Sequence, residues 1–357
     1  MQGRVSSCLL ATLALSHLAV SQRQPSPLQV NSDVRPIQLH LDAEIRLNCI
    51  HLDSGRWRTY PGQNEFYVQE ELDRYVAVSL KGECRPALNM ALVQGGNSLK
   101  PSDLHIVDLA DRERGGVIAV VVWTPDDHTQ KPGILVFNPD GSFNRLTFIE
   151  GAFFPTHVAE FSSGAGYVVT GYDEQGAIYQ ALVTSEGRIL KPDVLRDREG
   201  PPTAKDPAES SSPAPMNAAL IQLVSGDDDA VYLFNAAKGK RAYRIRSDGT
   251  FTVTDLEVSA PPPGQKTLTL GMFISHSSLY LHEALIDESE KNEQVMTLNR
   301  FMLTVYDRYS GALQYTYLND AAFGGNPVAM APREFYFLKS KALPDGALDF
   351  SLVRAVP

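Results

Sequence analysis

From residue 104 onward, short apolar runs rich in aromatic and β-branched residues alternate with polar turns. One element recurs: an apolar run, a turn ending in glycine, and a second run that starts at once. Four copies read Ile134-Leu-Val-Phe-Asn-Pro-Asp-Gly141-Ser-Phe, Tyr179-Gln-Ala-Leu-Val-Thr-Ser-Glu-Gly187-Arg-Ile, Ala242-Tyr-Arg-Ile-Arg-Ser-Asp-Gly249-Thr-Phe and Leu303-Thr-Val-Tyr-Asp-Arg-Tyr-Ser-Gly311-Ala-Leu. Glycine tolerates the positive φ of a tight turn between antiparallel strands, so each copy predicts a β-hairpin.

Further apolar runs precede each hairpin, at Val117–Trp123, Tyr167–Tyr172, Ala230–Asn235 and Ser278–His282. Ahead of these come candidate innermost strands at Leu104–Asp108, His157–Phe161, Asn217–Val224 and Thr267–Ile274. Each unit therefore predicts a four-stranded antiparallel sheet. The turn glycines lie 46, 62 and 62 residues apart. Two polar insertions explain the spread: Arg196–Pro215, with almost nothing to bury and read as a disordered surface loop, and the charged stretch Glu283–Thr297. Without about 15–20 residues for each, the period is near 45, that of a four-stranded propeller blade.

A fifth unit, Pro327–Met330, Phe335–Leu338 and Leu348–Val353, is one strand short. A propeller whose last blade lacks its outer strand borrows it from the other end of the chain, which closes the ring and removes sheet edges. The alternating stretch Pro36–Leu41 is the candidate closing strand, and residues 45–100 supply one more blade. The expected fold is all-β, a β-propeller of six blades, with five or seven left open.

The stretches Val-Phe-Asn-Pro-Asp-Gly-Ser-Phe at 136–143 and Val-Tyr-Asp-Arg-Tyr-Ser-Gly-Ala-Leu at 305–313 resemble the outer hairpins of NHL-type and related bacterial six-bladed propellers. The resemblance spans about residues 103–357 and is architectural, so it transfers no functional residue.

The amino terminus adds a compartment. Arg4, an uncharged stretch from Val5 to Val20 and the small-residue end Ala19-Val20-Ser21 read as a secretory signal over residues 1–21, cleaved before Gln22. Residues 22–35 then form a linker and 36–357 a single propeller domain. Cys8 leaves with the signal, and the remaining pair, Cys49 and Cys84, is a candidate disulfide in an exported protein. Absence of any N-x-[ST] sequon suits a bacterial periplasmic or extracellular protein. The net charge of −10 comes without a basic stripe, which excludes nucleic acid as a partner. No later apolar segment is long enough to span a membrane, so the mature chain is expected to be a soluble monomer.

No nucleophile elbow, zinc-protease helix, phosphate loop or EF-hand loop occurs. The starts of the innermost strands would converge at the mouth of the central channel. There the register places His105, His157, Asn217, Thr269 and Asn326, with Glu160 close behind His157, as candidate ligand-binding residues. No cofactor or dedicated metal site is implied, although a divalent cation at that mouth is compatible with the residue types. Asp227-Asp228-Asp229 reads as a solvated hairpin turn, and His276 and His282 as half-exposed strand residues. The favoured expectation is a non-catalytic binding or interaction scaffold for a protein, peptide or small polar ligand. Its rival is a propeller hydrolase or lyase acting on a sugar or peptide, with His157 as base or metal ligand supported by Glu160.

Overall fold

A computed structural model describes residues 36–53, 57–70, 74–93, 100–126, 129–173, 176–192, 194, 221–235, 240–257, 261–287, 300–320, 325–344 and 346–357. The stretches read as signal and linker, the 196–215 insertion and Asn217 lie outside them. The described residues form six antiparallel sheets of four main strands each. From the innermost strand outward, blade 1 contains Arg58–Tyr60, Glu65–Gln69, Arg74–Ser79 and Cys84–Asn89, and blade 2 contains Leu104–Asp111, Val117–Asp126, Thr129–Phe137 and Phe143–Phe148. Blade 3 is Phe154–Glu160, Gly166–Tyr172, Ile178–Thr184 and Ile189–Lys191, and blade 4 is Ile221–Ser225, Ala230–Asn235, Arg241–Arg246 and Phe251–Asp255. Blade 5 is Gln265–Ser275, Ser278–Asp287, Arg300–Asp307 and Leu313–Asp320. Blade 6 runs Gly325–Ala331, Glu334–Ala342 and Ala347–Val356, then takes its outer strand, His40–Arg46, from the amino terminus. Each innermost strand touches those of both neighbouring blades, which closes the ring.

Each blade is covered on both faces by its neighbours, so the second strands are continuous apolar runs rather than alternating ones. Val117–Val122 and Ala230–Asn235 are buried throughout. Six apolar clusters fill the six inter-blade interfaces. Glu283 corrects the reading of Glu283–Thr297 as a loop: residues 283–287 continue the second strand of blade 5. Its carboxylate is fully buried against Lys240 Nζ, 2.8 Å away, and accepts a hydrogen bond from Thr304 Oγ1 at 2.9 Å. A paired charge followed by Ala284, Leu285 and Ile286 sits in the core as an apolar strand would.

The recurring glycine has a second role beyond the turn. In each of blades 2 to 5 it packs against the preceding blade. A Cβ on Gly141 would lie 2.9 Å from Pro86 O, on Gly187 2.1 Å from Phe148 O, and on Gly311 2.2 Å from Asp255 O, while Gly249 faces Leu182 and Lys191. Gly82 of blade 1, which the sequence pattern did not flag, does the same against Ile45 of the closing strand. These residues hold φ between 74° and 87°. In blade 6 the third strand, Ala347–Val356, pairs with His40–Arg46 from the amino-terminal part of the chain. Ile37–Gln38 instead pair in parallel with Tyr317–Leu318 of blade 5, and Leu39 N donates to Leu318 O. The closing strand is thus His40–Arg46 rather than Pro36–Leu41, a shift forced by this preceding contact with blade 5.

The disulfide joins Cys49, just past the closing strand, to Cys84 at the start of blade 1's outer strand, with Cα atoms 6.3 Å apart. Closing a loop of this length contributes about 4 kcal/mol in the chain-entropy model. The described residues contain no helix long and apolar enough to cross a membrane.

Candidate functional site

The two ends of the ring differ. Where the innermost strands finish, hydrogen-bonded turns lead back into the second strands, and one of them crosses the ring. The turn of residues 61–64 in blade 1 reaches three other blades: Gly62 N donates to Val328 O of blade 6 at 3.2 Å, Gln63 N to Asp111 Oδ2 of blade 2 at 2.8 Å, and Gln63 Nε2 to Ser225 O of blade 4 at 3.2 Å. Blades 1 and 4 are opposite in a six-membered ring, so Gln63 spans the axis. Glycine is required before it, since a Cβ there would lie 2.1 Å from Glu65 O and 3.2 Å from Asp111 Oδ2. At the opposite end these strands begin, and there His105 and Phe154 are exposed.

Between the two ends, Asp108 sits where the innermost strands of blades 1, 2 and 3 converge. A bulge at Val107 interrupts its pairing with the second strand, and a matching bulge at Thr156 interrupts blade 3. These irregularities turn side chains off the inter-blade faces. Asp108 Oδ2 accepts a hydrogen bond from Val158 N at 3.2 Å, and His157, Arg58 and Tyr60 are within electrostatic range of it. Desolvation is the leading influence on Asp108 and raises its pKa above the ordinary carboxylate range; the field of His157 is the largest opposing one. Asp111, three residues further along the strand, is pushed up to about 6, again by burial, against the stabilising bond from Gln63 N. Burial and the nearby Asp108 charge push the Tyr60 phenol up to about 12.

Other interior carboxylates are held by cations. Glu70 meets Arg74 at 2.6 Å, Glu160 meets Arg112 at 2.6 and 2.9 Å, Glu283 meets Lys240, and Asp228 meets Arg244 at 2.7 Å. Asp108 and Asp111 have no ion-pair contact among the described residues. Two half-buried carboxyl groups with raised pKa values thus lie on the innermost strand of blade 2 with no counter-ion in contact among the described residues.

The residues expected at the mouth separate by depth. His105 is exposed near the open end. His157 lies at mid-depth, its Nδ1 at 3.1 Å from Thr156 Oγ1 and 3.3 Å from Thr170 Oγ1. Glu160 is at the closed end and bridges blade 3 to blade 2 through Arg112, so it does not act beside His157. Thr269 is half-buried on blade 5 and Asn326 lies on the innermost strand of blade 6; among the described residues no hydrogen bond links Thr269 to His105 or His157. Asp108, Asp111, Arg58 and Tyr60 were missed. Asp108 closed the expected strand Leu104–Asp108, and Asp111 lay beyond it; the observed strand continues to Asp111 and takes in both.

Two further readings change. His282 is 2% exposed, stacks on Phe301 with centroids 5.0 Å apart and has no partner for Nε2 among the described residues, whereas His276 is an exposed turn residue at φ 51°. The aspartate run does form a turn, but only Asp227 is open to solvent. Asp228 binds Arg244 and the Tyr232 hydroxyl, and Asp229 accepts from Ser163 N of blade 3 at 2.9 Å. Consecutive turn residues point in different directions, and here they reach different blades.

No family model matches the chain, so its likeness to NHL-type proteins is one of hairpin pattern alone, and no curated protein matches it either. Solved structures do. A glucose dehydrogenase aligns over 88% of this chain and 99% of its own at 10% identity and a TM-score of 0.36. BBS1N, solved in complex with ARL6DN, aligns over 82% of this chain and 75% of its own at 12% identity and a TM-score of 0.36. The GH43 protein BlXynB from Bacillus licheniformis aligns over 78% of this chain and 57% of its own at 11% identity and a TM-score of 0.38. Likenesses of this size carry no functional argument.

Proposed function

We propose that the protein is an exported, non-catalytic binding propeller whose axial channel takes a small polar ligand bearing a cationic amino group. One observation carries the reading: Asp108 and Asp111 are half-buried with raised pKa values and, among the described residues, have no ion-pair partner, while Glu70, Glu160, Asp228 and Glu283 each have one. A desolvated carboxylate raises the free energy of the empty protein, and a bound ammonium group relieves that cost by supplying the missing charge. Arg58 and His157 lie within electrostatic range of Asp108 and serve the polar remainder of the ligand, while the Tyr60 hydroxyl is held by Gln69 Oε1. With Gln63 closing one end of the axis, the ligand enters from the other. Export rests on the signal-like amino terminus and on the disulfide, which persists in an oxidising compartment.

The test is calorimetric titration of the purified protein with putrescine, lysine and glucose at pH 8 and pH 5. Saturable binding of an amine is expected at pH 8. It should weaken at pH 5, below the Asp111 value of about 6, and be lost in Asp108→Asn. Equal binding of putrescine by wild type and variant would refute the role of Asp108, and silence with all three probes would refute the binding site. Analysis of the same mixtures for products tests the hydrolase or lyase alternative.

A further inference from the structure

We propose that the Cys49–Cys84 disulfide is a redox-operated latch on ring closure, whose reduction frees the amino-terminal strand from the seam between blades 6 and 1. That seam differs from the others. Blades 1 to 5 each receive their outer strand through a hairpin turn, whereas blade 6 receives His40–Arg46 through hydrogen bonds to Ala347–Val356. The closing strand is mostly exposed, with Leu41 at 54% and Ile45 at 37%, so little apolar burial holds it. Its anchors come just before and after, at Leu39, Leu47, Ile50 and Leu52.

Two cavities border the segment that follows. One, of about 560 Å³, is lined by both cysteines with Arg74, Arg85 and Leu88. The other, of about 570 Å³, lies along Leu47–Leu52, Glu70 and Leu348. Leu47, Ile50 and Leu52 pack into the cluster between blades 6 and 1, and the disulfide adds a covalent tie from this segment to the outer strand of blade 1. Polar ties add to it: His51 N donates to Glu70 Oε1 and Leu47 N to Phe350 O, both at 2.8 Å, and Arg46, Glu44 and Asp42 of the closing strand pair with Asp349, Lys339 and Arg354 of blade 6. Both cysteines are half-buried, and the cavity they line gives a reductant access. Arg74 and Arg85, paired with Glu70 and Glu65, line the same cavity as the two cysteines.

The exchange requires a dithiol. One of its thiolates attacks a cysteine sulfur, the S–S bond breaks, and the other cysteine leaves as a thiolate. The second thiol of the reductant then displaces the first cysteine from the mixed disulfide. Two electrons pass to the protein, which ends with two thiols, and the reductant ends as a disulfide.

Hydrogen exchange on the full chain, with and without dithiothreitol, tests the latch. Reduction should accelerate exchange at least tenfold in 40–46 and 347–356, leave blades 2 to 4 unchanged, and reverse on reoxidation. The Cys49→Ser/Cys84→Ser variant should match the reduced protein; if it fails to fold, the reduced wild type alone decides. Uniform acceleration in all blades would show an ordinary structural disulfide and overturn the proposal. So would unchanged protection in the reduced protein, or a bond that native-state dithiothreitol does not reduce.

Discussion

His282 provides a quantitative test of how the blades bury polar groups. Desolvation lowers its pKa from 6.5 to about 3, because the ring is 2% exposed between blades 5 and 6 and stacked on Phe301. The folded value is depressed, so the neutral ring's contribution is fully present above the unfolded pKa of 6.5 and is lost as pH falls toward 3. Linkage sets a ceiling of about 5 kcal/mol on that loss, with about 2 kcal/mol gone by pH 5. Other groups also titrate in acid, so the informative quantity is a difference between proteins. His282→Phe keeps an aromatic ring against Phe301 and removes the proton site. Urea melts followed by tryptophan fluorescence should give similar stabilities at pH 7.5 and a relative gain of about 2 kcal/mol for the variant at pH 5. A wild-type to variant difference that stays constant between these pH values would refute the burial argument.

Other consequences are equally direct. Asp111 has the opposite sign: its pKa is raised to about 6, so its cost is absent below the unfolded value of 3.8 and complete above 6. Asp111→Asn, which keeps an acceptor for Gln63 N, should stabilise the protein by up to about 3 kcal/mol at pH 8 and by almost nothing at pH 3.5, read by thermal melts across that range. Gly311→Ala should cost at least about 2 kcal/mol in urea melts, from its positive φ and the clash with Asp255 O. Gly82→Ala meets the Ile45 and Leu47 side chains rather than backbone and should cost about 1 kcal/mol. Glu160→Gln leaves Arg112 partly buried without its counter-charge and should cost about 3 kcal/mol by the same measurement, while amine binding in the axial channel is retained.

Local pattern was enough for the architecture. Hairpin turns demand glycine within a few residues of an apolar run, and a blade covered on both faces demands uninterrupted apolar strands, so both constraints are written in contiguous residues. The missing strand of blade 6 followed from the same count of units. The blade at 58–89 was harder to see because its turn, Lys81-Gly82-Glu83, is charged and its first strand has only three residues.

Tertiary structure decided everything that depends on which blades meet. Residue spacing could not show that Glu160 is taken by Arg112, that Asp229 crosses to blade 3, or that Gln63 closes one end of the axis, because each partner lies more than 40 residues away. The closing strand moved to His40–Arg46 because Leu39 is first held by blade 5. Strand alternation assigns a side chain to one face or the other, but a bulge breaks that rule, and bulges at Val107 and Thr156 accompany the placing of Asp108 and His157 near the axis. The sequence by itself therefore determined the ring and its repeating turns, which arise from local conformational preference and burial. Only the closed ring decided which polar side chains meet near the axis, because that depends on the approach of strands far apart in the chain.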